Sequence, residues 1–273
     1  MNVQLKGTLA LVGCGKMGGA MLEGWLKSGV DATRIVVLEP NPLPEIANFL
    51  SGRGITLNPA IATLKDVEVL VLAVKPQVMA SALESLKPLK ASKPLVLSIA
   101  AGKTIASFEA AFGSDASIIR CMPNTPAAIG RGITAMVGNA HVSPAQMKLA
   151  ESLLASTGEV VQVSNEGMID LVTAVSGSGP AYVFLLAETL AAAGEKAGLP
   201  RDLAVQLARA TVAGSGELMR QSGIDAATLR QNVTSPNGTT YAALQVLMGE
   251  QGMQPLLDKA VAAAADRSRE LAG

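Results

Sequence analysis

The chain has 273 residues, and its 22 Lys plus Arg are balanced by 22 Asp plus Glu, for a formal net charge of zero. This length predicts one or two domains whose core needs no disulfide or metal staple. A zero charge and 3% aromatic content offer no electrostatic footprint or stacking platform for nucleic acid, and no basic surface for an anionic membrane.

Two cysteines, Cys14 and Cys121, make no disulfide framework and fit a reducing compartment, so the expected location is the cytoplasm. Residues 1–11 lack the charged region, long apolar run and cleavage site of a signal peptide. Hydrophobic content is high, at 49%, with a mean hydropathy of +0.36. The longest uncharged apolar stretch, residues 171–187, carries Ser176-Gly177-Ser178-Gly179-Pro180 in its middle. It reads as too short and too broken to span a membrane. The alanine excess is read instead as close helix packing, including contacts between subunits.

In chain order, residues 8–13 form a short apolar run ending in glycine. Met17, Met21, Leu22, Trp25 and Leu26 then recur at helical spacing, and Gly29 stops them. Further apolar runs at 34–39, 67–74, 94–100, 116–121, 133–137 and 159–163 read as strands. Continuous runs of this length suit strands buried on both faces, and their alternation with helices predicts a doubly wound α/β sheet of Rossmann type over residues 1–163. Residues 164–273 read as an all-helical domain of five or six helices, with breaks at 176–180, 198–200, 223 and 235–238. Pro200 opens a helix over 201–219, and Asp225 caps one over 226–233. The first domain carries a net charge of +3 and the second −3.

Gly13-Cys14-Gly15-Lys16-Met17-Gly18 matches G-x-G-x-x-G, after the first strand and opening the first helix. Gly13 permits the tight turn, Gly15 leaves room for a pyrophosphate, and Gly18 lets helix and strand pack closely. Lys16 and Met17 start the helix whose free N–H groups face the phosphates. Glu39 ends the second strand, 21 residues after Gly18. An acidic side chain there hydrogen-bonds the adenosine ribose and repels a 2′-phosphate, which favours NADH. Lys16 or Arg53 is the alternative that would accept NADPH. Ala73, Val74, Lys75 and Pro76 end a buried strand, where an open parallel sheet places its ligand.

His141, the single histidine, lies in a loop and reads as solvated. No His/Cys/Asp cluster has metal-ligand spacing, so no metal is expected. Val175-Ser176-Gly177-Ser178-Gly179 is not the G-x-S-x-G nucleophile elbow. An enzyme of this composition leaves the chemistry to its cofactor.

Three segments resemble the pyrroline-5-carboxylate reductase family. They are Arg120-Cys121-Met122-Pro123-Asn124-Thr125-Pro126, Val175-Ser176-Gly177-Ser178-Gly179-Pro180-Ala181-Tyr182, and Thr234-Ser235-Pro236-Asn237-Gly238-Thr239-Thr240. Ala73-Val74-Lys75-Pro76 and Ser98-Ile99-Ala100-Ala101-Gly102 match as well, in the family's order. The resemblance implies a Rossmann domain followed by a helical domain that intertwines with a partner into a homodimer, often assembled further into decamers. It implies hydride transfer from NADPH or NADH to the C=N carbon of 1-pyrroline-5-carboxylate, giving L-proline. Residues 235–240 open a helix running to Met248, and the free N–H groups of Gly238, Thr239 and Thr240 with the Ser235 hydroxyl suit the substrate carboxylate. By resemblance, the Thr240 hydroxyl meets the ring nitrogen, and Asn124 and Thr125 lie beside the nicotinamide. One departure is Asn237, where the family usually has glycine. Asparagine tolerates the left-handed backbone better than most residues.

Two alternatives stand beside this reading. A β-hydroxyacid dehydrogenase of similar architecture needs a lysine in the helical domain, where only Lys196 and Lys259 occur, neither in a matching motif. A dinucleotide sensor without catalysis would not need both Ser235 and Thr240. A six-membered cyclic imine is a further possible substrate.

Overall fold

The computed structural model describes residues 4–272; residues 1–3, which begin the segment tested above for a signal peptide, and residue 273 lie outside the described residues. The chain divides into two compact units, Met1–Gly177 with Ala264–Gly273, and Ser178–Ala263.

The first unit is built on an eight-stranded sheet. Its elements in chain order are β1 (Thr8–Val12), α1 (Lys16–Lys27), β2 (Ile35–Leu38), α2 (Pro44–Ser51), β3 (Thr56–Leu57), β4 (Val67–Leu72), α3 (Met79–Leu86), β5 (Leu95–Ser98), α4 (Ile105–Phe112), β6 (Ile118–Met122), β7 (Gly132–Gly138), α5 (Pro144–Leu154) and β8 (Gly158–Gln162). The strand order is β3-β2-β1-β4-β5-β6-β7-β8. All pairs are parallel except β6 with β7. The first six strands therefore follow the doubly wound order, in which the order of strand addition reverses between β1 and β4 while the strands stay parallel. The expected strands are all present, and β3 is an addition. Two residues carry no periodicity, so β3 has no signature in the sequence.

The strands are hydrophobic throughout because helices cover both faces. Leu9, Leu11, Val69, Val71 and Leu97 face one core, and Ala10, Leu70, Leu72 and Val96 face the other. Each fully buried leucine or valine contributes roughly 2 kcal/mol relative to an exposed one. Trp25, fully buried on α1, donates its Nε1–H to the Leu153 carbonyl at 3.0 Å, which locks α1 to the end of α5.

Six α-helices follow the sheet: α6 (Met168–Val172), α7 (Gly179–Lys196), α8 (Arg201–Ser222), α9 (Ala226–Asn232), α10 (Thr239–Leu247) and α11 (Met253–Ala272). Asp225 caps α9 as expected, accepting the Thr228 N–H at 3.0 Å. The break expected at 176–180 is present: α6 ends at Val172, and α7 starts at Gly179 with Ser178 as its N-cap. A π turn, Thr173–Gly177, follows α6, with the Thr173 hydroxyl bonded to the Ile169 carbonyl at 2.7 Å and the Ser176 hydroxyl to that of Val172 at 3.2 Å. Pro180 sits at the first turn of α7, where its missing N–H costs nothing. The stretch Met168–Lys196, 29 residues with mean hydropathy 1.4, is long and apolar enough by length and composition to cross a membrane. The length corrects the expectation of a segment too short to span. Val183, Phe184, Leu185 and Leu190 on it are exposed in the single chain.

In the second unit α7 packs along α8, with Ala191, Ala204 and Ala208 buried. A methyl on Gly194 would come within 3.4 Å of the Ala204 Cβ, so small residues set how closely these helices approach. The last turns of α11 belong to the first unit, where the Ser268 hydroxyl donates to Asp170 at 2.7 Å.

Candidate dinucleotide and substrate sites

The sheet register aligns the carboxyl ends of its central strands. Val12 pairs with Leu38 and with Leu72, and Leu72 with Ser98. Gly13, Glu39 and Ala73, the next residue of each chain segment, consequently lie along one edge. The Gly13 N–H donates to the Leu38 carbonyl at 2.9 Å, and the Ala73 N–H to that of Val12 at 2.8 Å.

Each glycine of the turn has its own reason. Gly13 adopts φ +91°, and a Cβ there would lie 2.8 Å from the Ala73 carbonyl oxygen. A Cβ on Gly18 would collide with the Gly13 carbonyl. Nothing lies within 4 Å of a Cβ built on Gly15, so this glycine leaves open space in front of α1. Gly15 caps α1 with no side-chain hydrogen bond, and the first turn holds no acidic residue. The N–H groups of Lys16, Met17 and Gly18 and the positive end of the helix dipole remain for an anion. These features fit the pyrophosphate of a nicotinamide dinucleotide, which would lie against Gly15 and these amides.

Glu39 follows β2 and turns its carboxylate onto the glycine turn. Oε2 accepts the Cys14 N–H at 3.0 Å, and Oε1 accepts the Asn41 N–H at 3.2 Å. Burial and the Glu39 charge push the Cys14 thiol up to about 11. Asn58 was not singled out in the sequence. Its Oδ1 accepts the Glu39 N–H at 2.8 Å, and its Nδ2 donates to the Glu39 carbonyl at 2.8 Å. The only local hint is an asparagine before Pro59, a turn signal.

Ala73 and Val74 are half-buried beside Gly13, while Lys75 is exposed and Pro76 begins a short 3₁₀ turn. Asn124 spends its side-chain oxygen on the Ile133 N–H at 3.0 Å, closing the loop between β6 and β7. Gly177 meets the Met122 side chain, since a Cβ there would stand 2.8 Å from the Met122 Cε. Two motifs separated in sequence thus touch within the first unit. An apolar groove beside them runs between Ile133 and Val161 of β7 and β8 and Leu171, Val172 and Val175 of the helix. It contains no charged side chain.

In the second unit, residues 235–240 form a turn that opens α10. Asn237 adopts φ +55°, the left-handed conformation that asparagine tolerates. The Gly238 N–H donates to the Ser235 carbonyl at 3.0 Å, so it is used inside the turn and is not a free donor as expected. Gly238 is the N-cap, with no side-chain hydrogen bond. The helix's open donors are those of Thr239, Thr240 and Tyr241. Ser235 and Thr239 are exposed and Thr240 is half-buried.

His141 is exposed in its loop, and its carbonyl accepts the Ser117 hydroxyl at 3.0 Å. Among the described residues, no three His, Cys, Asp or Glu side chains are grouped to hold a metal ion.

Comparison with known proteins decides the family. A pyrroline-5-carboxylate reductase of Pseudomonas aeruginosa is 40% identical over 265 residues, covering 97% of this chain and 96% of the relative. The chain belongs to the pyrroline-5-carboxylate reductase family. The family model for pyrroline-5-carboxylate reductase dimerisation matches residues 166–271, and one described as NADP oxidoreductase coenzyme F420-dependent matches residues 8–102. Two solved structures of the family superpose over nearly the whole chain. The reductase of Coxiella burnetii has 35% identity and a TM-score of 0.90, covering 98% of this chain and 100% of its own. That of Plasmodium falciparum, solved with NADP bound, has 30% identity and a TM-score of 0.82, covering 98% of this chain and 99% of its own.

Proposed function

We propose that this protein reduces 1-pyrroline-5-carboxylate to L-proline with NADH or NADPH, the last step of proline biosynthesis. The observation that carries the reading is the near-complete match to reductases of that name. The glycine turn supports it with an open anion cradle at the carboxyl edge of the sheet.

The bound cofactor supplies a hydride, which adds to the C=N carbon, while the ring nitrogen takes a proton. The protein's part is position and electrostatics. Gly13, Gly15, Lys16, Met17 and Gly18 hold the dinucleotide, together with Glu39, Ala73, Val74, Lys75, Pro76 and Asn124. Ser235, Gly238, Thr239 and Thr240 receive the substrate. Gly238 shapes the turn, and the amides of Thr239 and Thr240 with the Ser235 hydroxyl take the carboxylate. The Thr240 hydroxyl orients the ring nitrogen for protonation, which makes the imine carbon electrophilic.

In this reading residues 1–163 bind cofactor and residues 164–273 bind substrate and dimerise. The exposed apolar face of α7 packs against a second copy, since the matched dimerisation region contains the whole helix. The dimer is the building block of a larger ring such as a decamer, and the enzyme works in the cytoplasm without nucleic acid or membrane partners.

The test mixes purified protein with 1-pyrroline-5-carboxylate, follows NADH and NADPH oxidation, and analyses proline. Proline formed at a rate proportional to enzyme is expected. Folded, cofactor-binding protein that forms none would overturn the proposal.

A further inference from the structure

We infer that Glu39, held in place by Asn58, makes this chain prefer NADH over NADPH. This deepens the proposed function and rests on its dinucleotide site. It runs against the NADP named in the matched family model and in the Plasmodium falciparum structure.

The preference follows from a carboxylate that cannot easily move away. Each Glu39 oxygen already accepts one backbone N–H, from Cys14 at 3.0 Å and Asn41 at 3.2 Å. Swinging the side chain aside would abandon both bonds. Each oxygen keeps further acceptor capacity, which suits the two hydroxyls of an adenosine ribose. A 2′-phosphate in the same place offers no donor and brings a charge of about −1.5 to −2 against the carboxylate.

Asn58 prevents the backbone from yielding instead. Its amide grips the Glu39 peptide by two bonds of 2.8 Å, one in each direction. Its own N–H is anchored on the Val37 carbonyl at 2.8 Å. To reach this position Asn58 holds φ +51°, a conformation asparagine accepts more readily than most residues. Asn58 is thus a positioning residue, acting on the cofactor through Glu39.

The cations that would rescue NADPH do not offset this arrangement. Arg53 lies over the Phe49 ring at 3.8 Å and donates to the Phe49 carbonyl at 3.3 Å. Lys16, exposed at the first turn of α1, brings one positive charge, against which the carboxylate and the doubly charged phosphate must be set.

The experiment measures NADH and NADPH dissociation constants by fluorescence on the full-length protein, with no imine present. Wild type is expected to bind NADH at least tenfold more tightly. Glu39→Gln removes the charge and keeps the shape, so the ratio should fall to within about threefold, chiefly because NADPH binds better. Asn58→Ala should also lower the ratio, in this case by weakening NADH. Equal or tighter NADPH binding by wild type overturns the inference, as does an unchanged ratio in Glu39→Gln. If Glu39→Gln does not fold, Glu39→Ala is measured in its place, with the same outcomes. Because cofactor binding is read without the imine, a protein that binds NADH selectively and makes no proline would refute only the proposed reaction.

Discussion

Arg120 and Glu166 form an ion pair at 2.9 Å, with the guanidinium 2% exposed at the heart of the first unit. Asp170 stands 3.5 Å from the other terminal nitrogen and accepts the Ser268 hydroxyl at 2.7 Å. The same Glu166 oxygen accepts the Ile105 N–H at the start of α4. One buried charge on β6 therefore gathers α4, α6 and the end of α11. Nε and Nη2 of Arg120 make no hydrogen bond among the described residues, and the charge is balanced by two carboxylates, Glu166 at 2.9 Å and Asp170 at 3.5 Å.

Removing that charge should be costly. Arg120→Ala strands two carboxylates in a low-dielectric site and is expected to destabilise the protein by about 3–5 kcal/mol. Glu166→Gln should cost about 1 kcal/mol, because Glu166 is 30% exposed and its amide can still accept a hydrogen bond. Urea denaturation measures both. Equal losses would mean that the charge balance is not what the cluster provides.

Gly15 and Gly18 should respond differently to alanine. Gly15→Ala has open space and an ordinary φ of −74°, so melting should shift by no more than a degree or two. Its methyl would stand where the pyrophosphate approaches, and NADH affinity should drop at least tenfold, or about 1.4 kcal/mol. Gly18→Ala meets a backbone carbonyl that cannot rotate away. It should lower melting by several degrees as well as affinity. Calorimetry of both variants, with and without NADH, separates the two effects.

Thr240→Ala tests the substrate turn. Turnover should fall more than tenfold while NADH binding stays near wild type, because the hydroxyl is assigned a contact strengthened in the transition state. Steady-state kinetics alongside cofactor titration checks this. Unchanged turnover would remove Thr240 from the mechanism.

The Cys14 thiol should be unreactive near neutrality. Burial first, and the Glu39 carboxylate second, raise it from 9.0 to about 11. Because the folded pKa is the higher one, the thiol's contribution to stability is complete below pH 9 and is lost as the pH rises through 11. Alkylation by iodoacetamide at pH 8 should be slow in the native protein and fast in urea. Cys14→Ala should show a shallower decline of stability between pH 9 and 11. Rapid alkylation of the native protein at pH 8 would contradict the assignment.

The sheet was legible because its strands are continuous apolar runs between turn residues, and the glycine turn because G-x-G-x-x-G followed β1 at the required place. Asp225 was legible as a cap because capping is local chemistry. The segment 176–180 was legible as a break because glycine and proline interrupt helices. Here proline sits at a helix start, after a π turn.

What the amino-acid order determined by itself is local: strand and helix placement, the doubly wound class, the glycine turn, and the motifs that mark the family. Tertiary structure decided which distant groups meet. Glu39 reaches the Cys14 amide 25 residues earlier, Asn58 clamps Glu39 from 19 residues later, and Ser268 finds Asp170 across 98 residues. Such contacts are set by sheet register and helix packing, which sum many weak interactions over the whole chain, so no short window of sequence contains them.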